Sequence, residues 1–216
     1  MKNQMKRITI LLADDHPMAR AGIRNLLEIA GNFDIVGEAE DGYQARELVE
    51  VLQPDVLLLD LKMPGLRPAE LEKWVRENFP QIVTLVLTSH DRDRYLAAMM
   101  EAGASGYMDK NVTAETLAGA IQRAVNGEIL FDQKQMQRAQ NWRETVGQKE
   151  NQLTEQEIKL LELLVKGLDN NKISQQLNVT EKTVAYHLTS IFQKLGVKSR
   201  LEAAIWAKDE LFDELE

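Results

Sequence analysis

The chain has 216 residues, of which 44% are hydrophobic and 28% charged, no cysteine, and a formal net charge of −8. That length suits two small domains better than one compact one, and the lack of cysteine excludes a disulfide framework and any cysteine-ligated metal. Apolar runs such as VLLL at 56–59 are far too short to span a membrane, and the charged start lacks the apolar stretch of a secretory leader, so a cytoplasmic protein without membrane attachment is expected.

The first half alternates two periodicities. A short apolar strand at 8–13 is followed by a helical pattern opened by Pro17 and closed by Gly31. Further strands are expected at 35–39, 56–59, 82–87 and 106–108, with helices between them and a last helix at 113–126 ending at Gly127. Strict alternation of five strands and five helices predicts a doubly wound parallel sheet, an α/β flavodoxin-like fold covered on both faces. Residues 1–127 are therefore read as the first domain. Residues 128–151, rich in Gln, Lys, Arg and Asn, read as a linker with some helix around 134–142.

From residue 152 onward the pattern is purely helical, and 152–216 is read as a second, all-α domain. Thr154 and Glu157 have the spacing of a capping box, and so do Ser199 and Glu202. Between them lie a short helix at about 172–177 and a longer one that Thr180 can cap, ending at Gly196. Four helices with a very short second connection predict a helix-turn-helix. The acidic total also hides a basic segment. Residues 1–130 carry 14 Lys+Arg against 20 Asp+Glu, whereas 170–200 hold five basic residues and only Glu181. Local potential, not the total, governs approach to a polyanion.

In open parallel sheets, ligands bind beyond the carboxyl ends of the strands. Here those ends carry Asp14 and Asp15 after the first strand, Asp60 after the third, Thr88 and Ser89 after the fourth and Lys110 after the fifth. Three converging carboxylates call for a hard divalent cation, Mg2+ or Mn2+, held by Asp15, Asp60 and the Lys62 carbonyl, with Asp14 direct or through water. Lys110 adds a fixed positive charge and Thr88 a hydroxyl. That set suits phosphoryl transfer onto a carboxylate, with Asp60 as the nucleophile.

The segments LLADDHPMARAGIRNLL, LLLDLKMPG, VLTSH and GYMDK resemble the receiver domain of response regulators. The resemblance implies Asp60 as phospho-acceptor and a metal at Asp14, Asp15 and Asp60. It also implies Thr88 and Lys110 on the phosphate, Tyr107 as the aromatic switch partner of Thr88, and a sensor histidine kinase as donor. The sequence departs from the family at Arg67–Pro68, where an Asp-Gly-like pair is common. A phosphohydrolase with a similar acid cluster is the rival reading; such enzymes often carry a second Asp two residues after the nucleophile, where this chain has Lys62.

The stretch beginning LTEQEIKLLELLVKGL and running to LEAA resembles the LuxR-type helix-turn-helix of NarL/FixJ response regulators. Independently, Val184, Leu188, Ile191 and Leu195 recur at helical intervals and are expected to face the core. The opposite face, with Lys182, Ala185, Tyr186, Thr189 and Gln193, is expected to read base edges of double-stranded DNA in the major groove. Thr183, Lys194, Lys198, Ser199 and Arg200 are expected on phosphates, and His187 in packing or on a phosphate. Relatives commonly carry lysine where Ala185 stands. The combined expectation is a DNA-binding transcriptional response regulator, not an enzyme, that dimerises on activation and works with RNA polymerase.

Overall fold

The computed structural model describes residues 7–212, and the chain divides into two compact units, Met1–Gln140 and Asn141–Glu216. In the first unit the strands are β1 (Ile8–Ala13), β2 (Phe33–Ala39), β3 (Val56–Leu59), β4 (Val83–Thr88) and β5 (Gly106–Asp109). They alternate with helices α1 (Pro17–Ala30), α2 (Gly42–Leu52), α3 (Pro68–Asn78), α4 (Asp93–Ala102) and α5 (Ala114–Val125). All pairings are parallel, in the order β2-β1-β3-β4-β5. The doubly wound sheet expected from the alternation is thus present, with β2 beginning two residues earlier than the sequence pattern suggested.

The strands are apolar almost throughout because both faces are covered. On one face Ile10, Leu12, Val56, Leu58, Leu85 and Leu87 pack with Ile23 and Leu27 of α1 and Leu117 and Ile121 of α5. Leu11, Leu57, Leu59 and Val86, of opposite parity, are also fully buried. The order reverses at β1 and β3, which are adjacent strands; this is the switch point where such sheets bind ligands. The backbone ladder runs one residue past the strands there: Asp60 N donates to Ala13 O (2.8 Å) and Asp14 N to Ala39 O (3.0 Å).

The loop after β3 is braced by two glycines. Gly65 adopts φ +89°, the left-handed conformation that ends the KMPG turn. Gly42 donates to Pro64 O (2.9 Å), and a Cβ there would lie 2.3 Å from Leu66 O. After α5 the chain returns to the sheet margin, where Leu130 bridges Gly106 in parallel and its N–H donates to Ser105 O (2.7 Å).

The stretch 128–151, read as a linker with some helix around 134–142, is helical over most of its length. Helix α6 (Gln133–Trp142) runs into a π-helical turn at Arg143–Gly147 and a short α7 (Gln148–Glu150). Its first part belongs to the first unit: Ala139 is fully buried, and Asp132 caps the helix by accepting from Gln135 N (2.7 Å). Within the second unit, Trp142 Nε1 donates to Glu210 Oε2 (3.1 Å).

The second unit continues with α8 (Glu155–Val165), α9 (Asn170–Leu177), α10 (Glu181–Leu195) and α11 (Arg200–Glu210). The capping box at Thr154 and Glu157 is fully formed. The second is altered: Ser199 accepts from Glu202 N, but the Glu202 carboxylate takes Lys198 N (2.8 Å). Asn178, at φ +54°, makes the tight turn between α9 and α10. The core joins Leu160, Leu161 and Leu164 of α8, Ile173 of α9 and Ala203 and Ala207 of α11 to Val184, Leu188, Ile191 and Leu195, the four α10 positions expected inside. Among the described residues, no helix is long and apolar enough to cross a membrane.

Candidate functional site

The acid pocket assembles at the carboxyl ends of β1, β3 and β5. Lys110 Nζ lies 2.8 Å from Asp14 Oδ2 and 2.8 Å from Asp60 Oδ2, joining the three strand ends in one ionic contact. Both aspartates are almost fully buried. Asp60 Oδ1 accepts from Leu61 N (2.8 Å), and Asp14 Oδ1 from His16 N (2.9 Å). Burial pushes the Lys110 ammonium down, but the hydrogen bonds and charges of Asp14 and Asp60 outweigh it and hold the pKa above the ordinary lysine value. The side chain therefore stays cationic wherever the aspartates are ionised.

Asp14, Asp15, His16 and Asp60 each offer a ligand atom, and these atoms lie within 4.8 Å of one another. The donor set is three carboxylates and one imidazole, and one ammonium leaves the cluster under-neutralised. An oxygen-preferring divalent cation fits it. His16 was not expected here. Its Nδ1 sits 2.5 Å from Asp15 Oδ1, and its place directly after the Asp14–Asp15 pair was the available signal. Lys62 is half-buried two residues beyond Asp60, on the loop braced by Gly42 and Gly65.

A second residue that sequence reasoning missed is Arg20. It is buried on α1 and donates through Nη1 to Asp14 O (2.6 Å), through Nε to Glu38 Oε2 (3.2 Å) and through Nη2 to Glu40 Oε1 (2.5 Å). It ties the end of β1 to the end of β2 and fixes the backbone that presents Asp14.

The switch residues are linked through His90. Thr88 is buried, and its Oγ1 accepts from His90 N (3.2 Å); Tyr107 donates its hydroxyl to His90 O (2.7 Å). Ser89 between them is exposed. The Tyr107 ring is buried, 4% exposed. Burial, with the nearby Asp91 charge, holds its hydroxyl well above the usual tyrosine pKa, so it remains a donor. The same loop meets α6. Arg138 Nε donates to Asp93 Oδ1 (2.7 Å) and Nη1 to Asp91 Oδ2 (2.9 Å), and Gln135 Nε2 donates to Tyr107 O (3.0 Å).

In the helical unit, Lys182, Ala185, Tyr186, Thr189 and Gln193 are all exposed on one face of α10, with Tyr186 73% exposed. Thr189 Oγ1 donates to Ala185 O (3.0 Å). His187 is half-buried, its ring edge-on to that of Tyr186 at 6.0 Å. The residues expected on phosphates divide into two groups. Lys198 is exposed, and Thr183 shares its hydroxyl with Thr180 at the start of α10 (2.9 Å). Lys194 is instead held by Glu157 Oε2 (2.6 Å), Arg200 by Asn170 Oδ1 (2.8 Å) and Leu168 O, and Ser199 caps α11. Lys194 and Arg200 thereby give donors to the buried Glu157 carboxylate and to Leu168 O, while Ser199 accepts from Glu202 N at the start of α11.

A sheet whose strand ends gather an acid–lysine pocket, followed by a helix-turn-helix, defines a phospho-acceptor switch joined to a DNA reader. Comparison with known proteins agrees for each unit. Residues 10–122 match the response regulator receiver domain, and residues 151–207 the luxR family of bacterial regulatory proteins. The chain is 38% identical over 218 residues to the nitrate/nitrite response regulator protein NarL of Escherichia coli (strain K12), covering 97% of this chain and 99% of that one. It is 37% identical over 197 residues to the transcriptional regulatory protein YdfI of Bacillus subtilis (strain 168), covering 90% and 92%. Among solved structures, the response regulator ChrA of a heme-sensing two-component system matches with TM-score 0.56 and 30% identity over 96% of this chain and all of that one. The two-component response regulator RcsB in a DNA complex matches with TM-score 0.58 and 25% identity over 95% and 99%. The chain belongs to the NarL/FixJ-type response regulators, a receiver domain followed by a LuxR-type helix-turn-helix. It is a DNA-binding transcription regulator of a two-component system, not an enzyme, and its receiver implies a histidine kinase partner.

Proposed function

We propose that Asp60 accepts a phosphoryl group from the phosphohistidine of a sensor kinase. The carrying observation is Lys110 Nζ, 2.8 Å from both Asp14 and Asp60, inside a cluster of acids at the sheet's switch point. The P–N bond of the donor breaks as an Asp60 oxygen bonds to phosphorus, and the departing imidazole takes up a proton. Lys110 neutralises charge on the incoming phosphoryl oxygens. Asp14, Asp15 and Asp60, with the Lys62 carbonyl, would hold Mg2+ or Mn2+, which supplies further charge neutralisation at the phosphoryl oxygens.

The phosphate then offers acceptors to Thr88. Donating its hydroxyl there withdraws Thr88 from His90 N, and with it shifts the loop that carries Asp91 and Asp93. Tyr107, bonded to His90 O, moves with that loop, and the clasp of Arg138 on α6 is disturbed. Converting a mostly inactive population to a mostly active one requires phosphorylation to favour the active state by about 5.5 kcal/mol. We place this activity in the cytoplasm, with a homodimer on DNA and contact to RNA polymerase as its output. On DNA, the outward face of α10 reads bases, while Lys198 and Thr183 hold phosphates. Lys194, Ser199 and Arg200, which also stood as phosphate candidates, act chiefly as braces for that face.

The test is to incubate the protein with Mg2+ and a small phosphodonor and weigh it intact. One added phosphate, absent from Asp60→Asn, supports the reading; no addition, or addition that survives Asp60→Asn, overturns it. Affinity for duplex DNA should fall by about tenfold or more between 50 and 200 mM salt, as several phosphates are neutralised.

A further inference from the structure

The middle of the outward face of α10 is poor in hydrogen-bond donors. Between Lys182 and Gln193 its exposed side chains are Ala185, Tyr186 and Thr189. Ala185 offers a methyl group. Thr189 has a hydroxyl proton, but it is used within the helix on Ala185 O at 3.0 Å, which leaves the methyl as its apolar contribution. Tyr186 presents a ring 73% exposed, with a hydroxyl only at its far end. Ala185 and Thr189 lie one turn apart, about 6 Å along the axis, close to two base-pair steps of about 3.4 Å.

The four base pairs differ in what they ask of such a surface. Guanine presents two acceptors, N7 and O6, and is read by a donor fork. Thymine presents the C5 methyl, which is read by apolar contact. A face of two methyls and a ring, with the Thr189 hydroxyl turned back onto its own backbone, matches the second and offers no donor fork for the first.

We infer that Ala185, Tyr186 and Thr189 read thymine through its methyl group, so that the centre of each half-site is specified by apolar contact and not by hydrogen bonds to guanine. This rests on the reading that this face of α10 enters the major groove. Lys182 and Gln193, at the two ends of the face, keep polar groups for the flanking positions. Thr189 acts as a specificity residue through its methyl; its hydroxyl serves to orient that methyl.

The experiment uses the full chain and a duplex recovered by selection from a random pool. Each thymidine of a half-site is replaced singly by deoxyuridine, which removes only the methyl. At the position facing Thr189 the wild-type protein should lose about fourfold in affinity, the equilibrium equivalent of one buried methyl. Thr189→Ser should lose a similar factor on the thymidine duplex and become indifferent to deoxyuridine there, while Thr189→Val should keep the thymine preference. Equal binding of thymidine and deoxyuridine duplexes at every position would overturn the inference. So would recovered half-sites with guanine at their centre, or loss of the preference in Thr189→Val. If Tyr186→Ala and Thr189→Ser both bind the selected duplex as tightly as wild type, the groove-facing role of α10 itself fails, a result separable from failure of the methyl readout.

Discussion

Arg138, on the helix that leaves the receiver, grips Asp93 at the first position of α4, with Nε 2.7 Å from Oδ1. The same guanidinium reaches Asp91, so the segment that follows Thr88 and His90 is tied to α6 by one side chain. Both carboxylates raise the Arg138 pKa above its already high value, so the clasp does not loosen by deprotonation.

Replacing Arg138 by Ala should loosen α6 without unfolding the sheet. The pair is partly exposed, so the loss is modest, about 1 kcal/mol. Amide hydrogen exchange over residues 133–139 should speed up severalfold. DNA affinity before phosphorylation should move toward the phosphorylated value. Unchanged exchange would show that Ala139 packing and the Gln135–Tyr107 O bond hold the helix without the clasp.

Lys110→Ala should separate two effects of the same charge. Phosphoryl uptake should slow by about 100-fold or more, because a positioned cation is missing where charge gathers. Divalent-cation affinity should rise by about tenfold, since the ammonium no longer competes for Asp14 and Asp60. Mass spectrometry follows the first, and the shift of the thermal midpoint with added Mg2+ the second. Weaker cation binding would refute the competition.

Glu72 on α3 is fully buried, and burial raises its pKa from 4.5 to about 7, against the smaller opposing effects of the Thr84 hydroxyl and the Arg76 charge. The fold therefore prefers the protonated acid. Its favourable contribution is complete below pH 4.5 and is lost as pH rises through about 7. Glu72→Gln, which mimics the protonated form, should stabilise the receiver by about 3 kcal/mol at pH 8 and change little at pH 4. Denaturant unfolding of the full chain at the two pH values checks this.

Glu157 behaves oppositely. Burial pushes its pKa up, but hydrogen bonds from Lys194, Thr154 N, Ser190 and the Thr154 hydroxyl outweigh that and hold it at about 2. This stability is present above pH 4.5 and disappears as pH falls toward 2. Acid should therefore unfold the helical unit while the Glu72 effect favours the receiver. Thermal unfolding at pH 6 and pH 2.5 should show the helical transition moving down, and Glu157→Gln should remove most of its pH dependence.

Apart from His16, the acid pocket was legible in the sequence because its members follow apolar strands. An abrupt change from VLLL to Asp60, or from the first strand to Asp14 and Asp15, marks both the strand end and the polar site beyond it. The core face of α10 was legible for a similar reason, since Val184, Leu188, Ile191 and Leu195 carry a helical period. Arg20, Gln135 and Arg138 left no such mark. Their partners lie on other elements, up to 47 residues away, and periodicity within a helix does not name them. The helix at 134–142 was legible, but its docking on the receiver through Ala139 and Arg138 was not, because a polar composition does not name tertiary partners. Lys194 and Arg200 were expected on phosphates because sequence alone does not reveal the carboxylate and carbonyl they satisfy within the fold.

The single bridge from Leu130 to Gly106 also guards the sheet's outer border. β5 is a terminal strand of only four residues, and an unprotected terminal strand can recruit a strand from another molecule. The returning chain occupies part of that border, and Gly106 permits the approach, since a Cβ there would meet Leu130 Cβ at 2.9 Å. Lengthening the connection just before Leu130 would therefore uncover a templating margin, and self-association would appear as its first symptom.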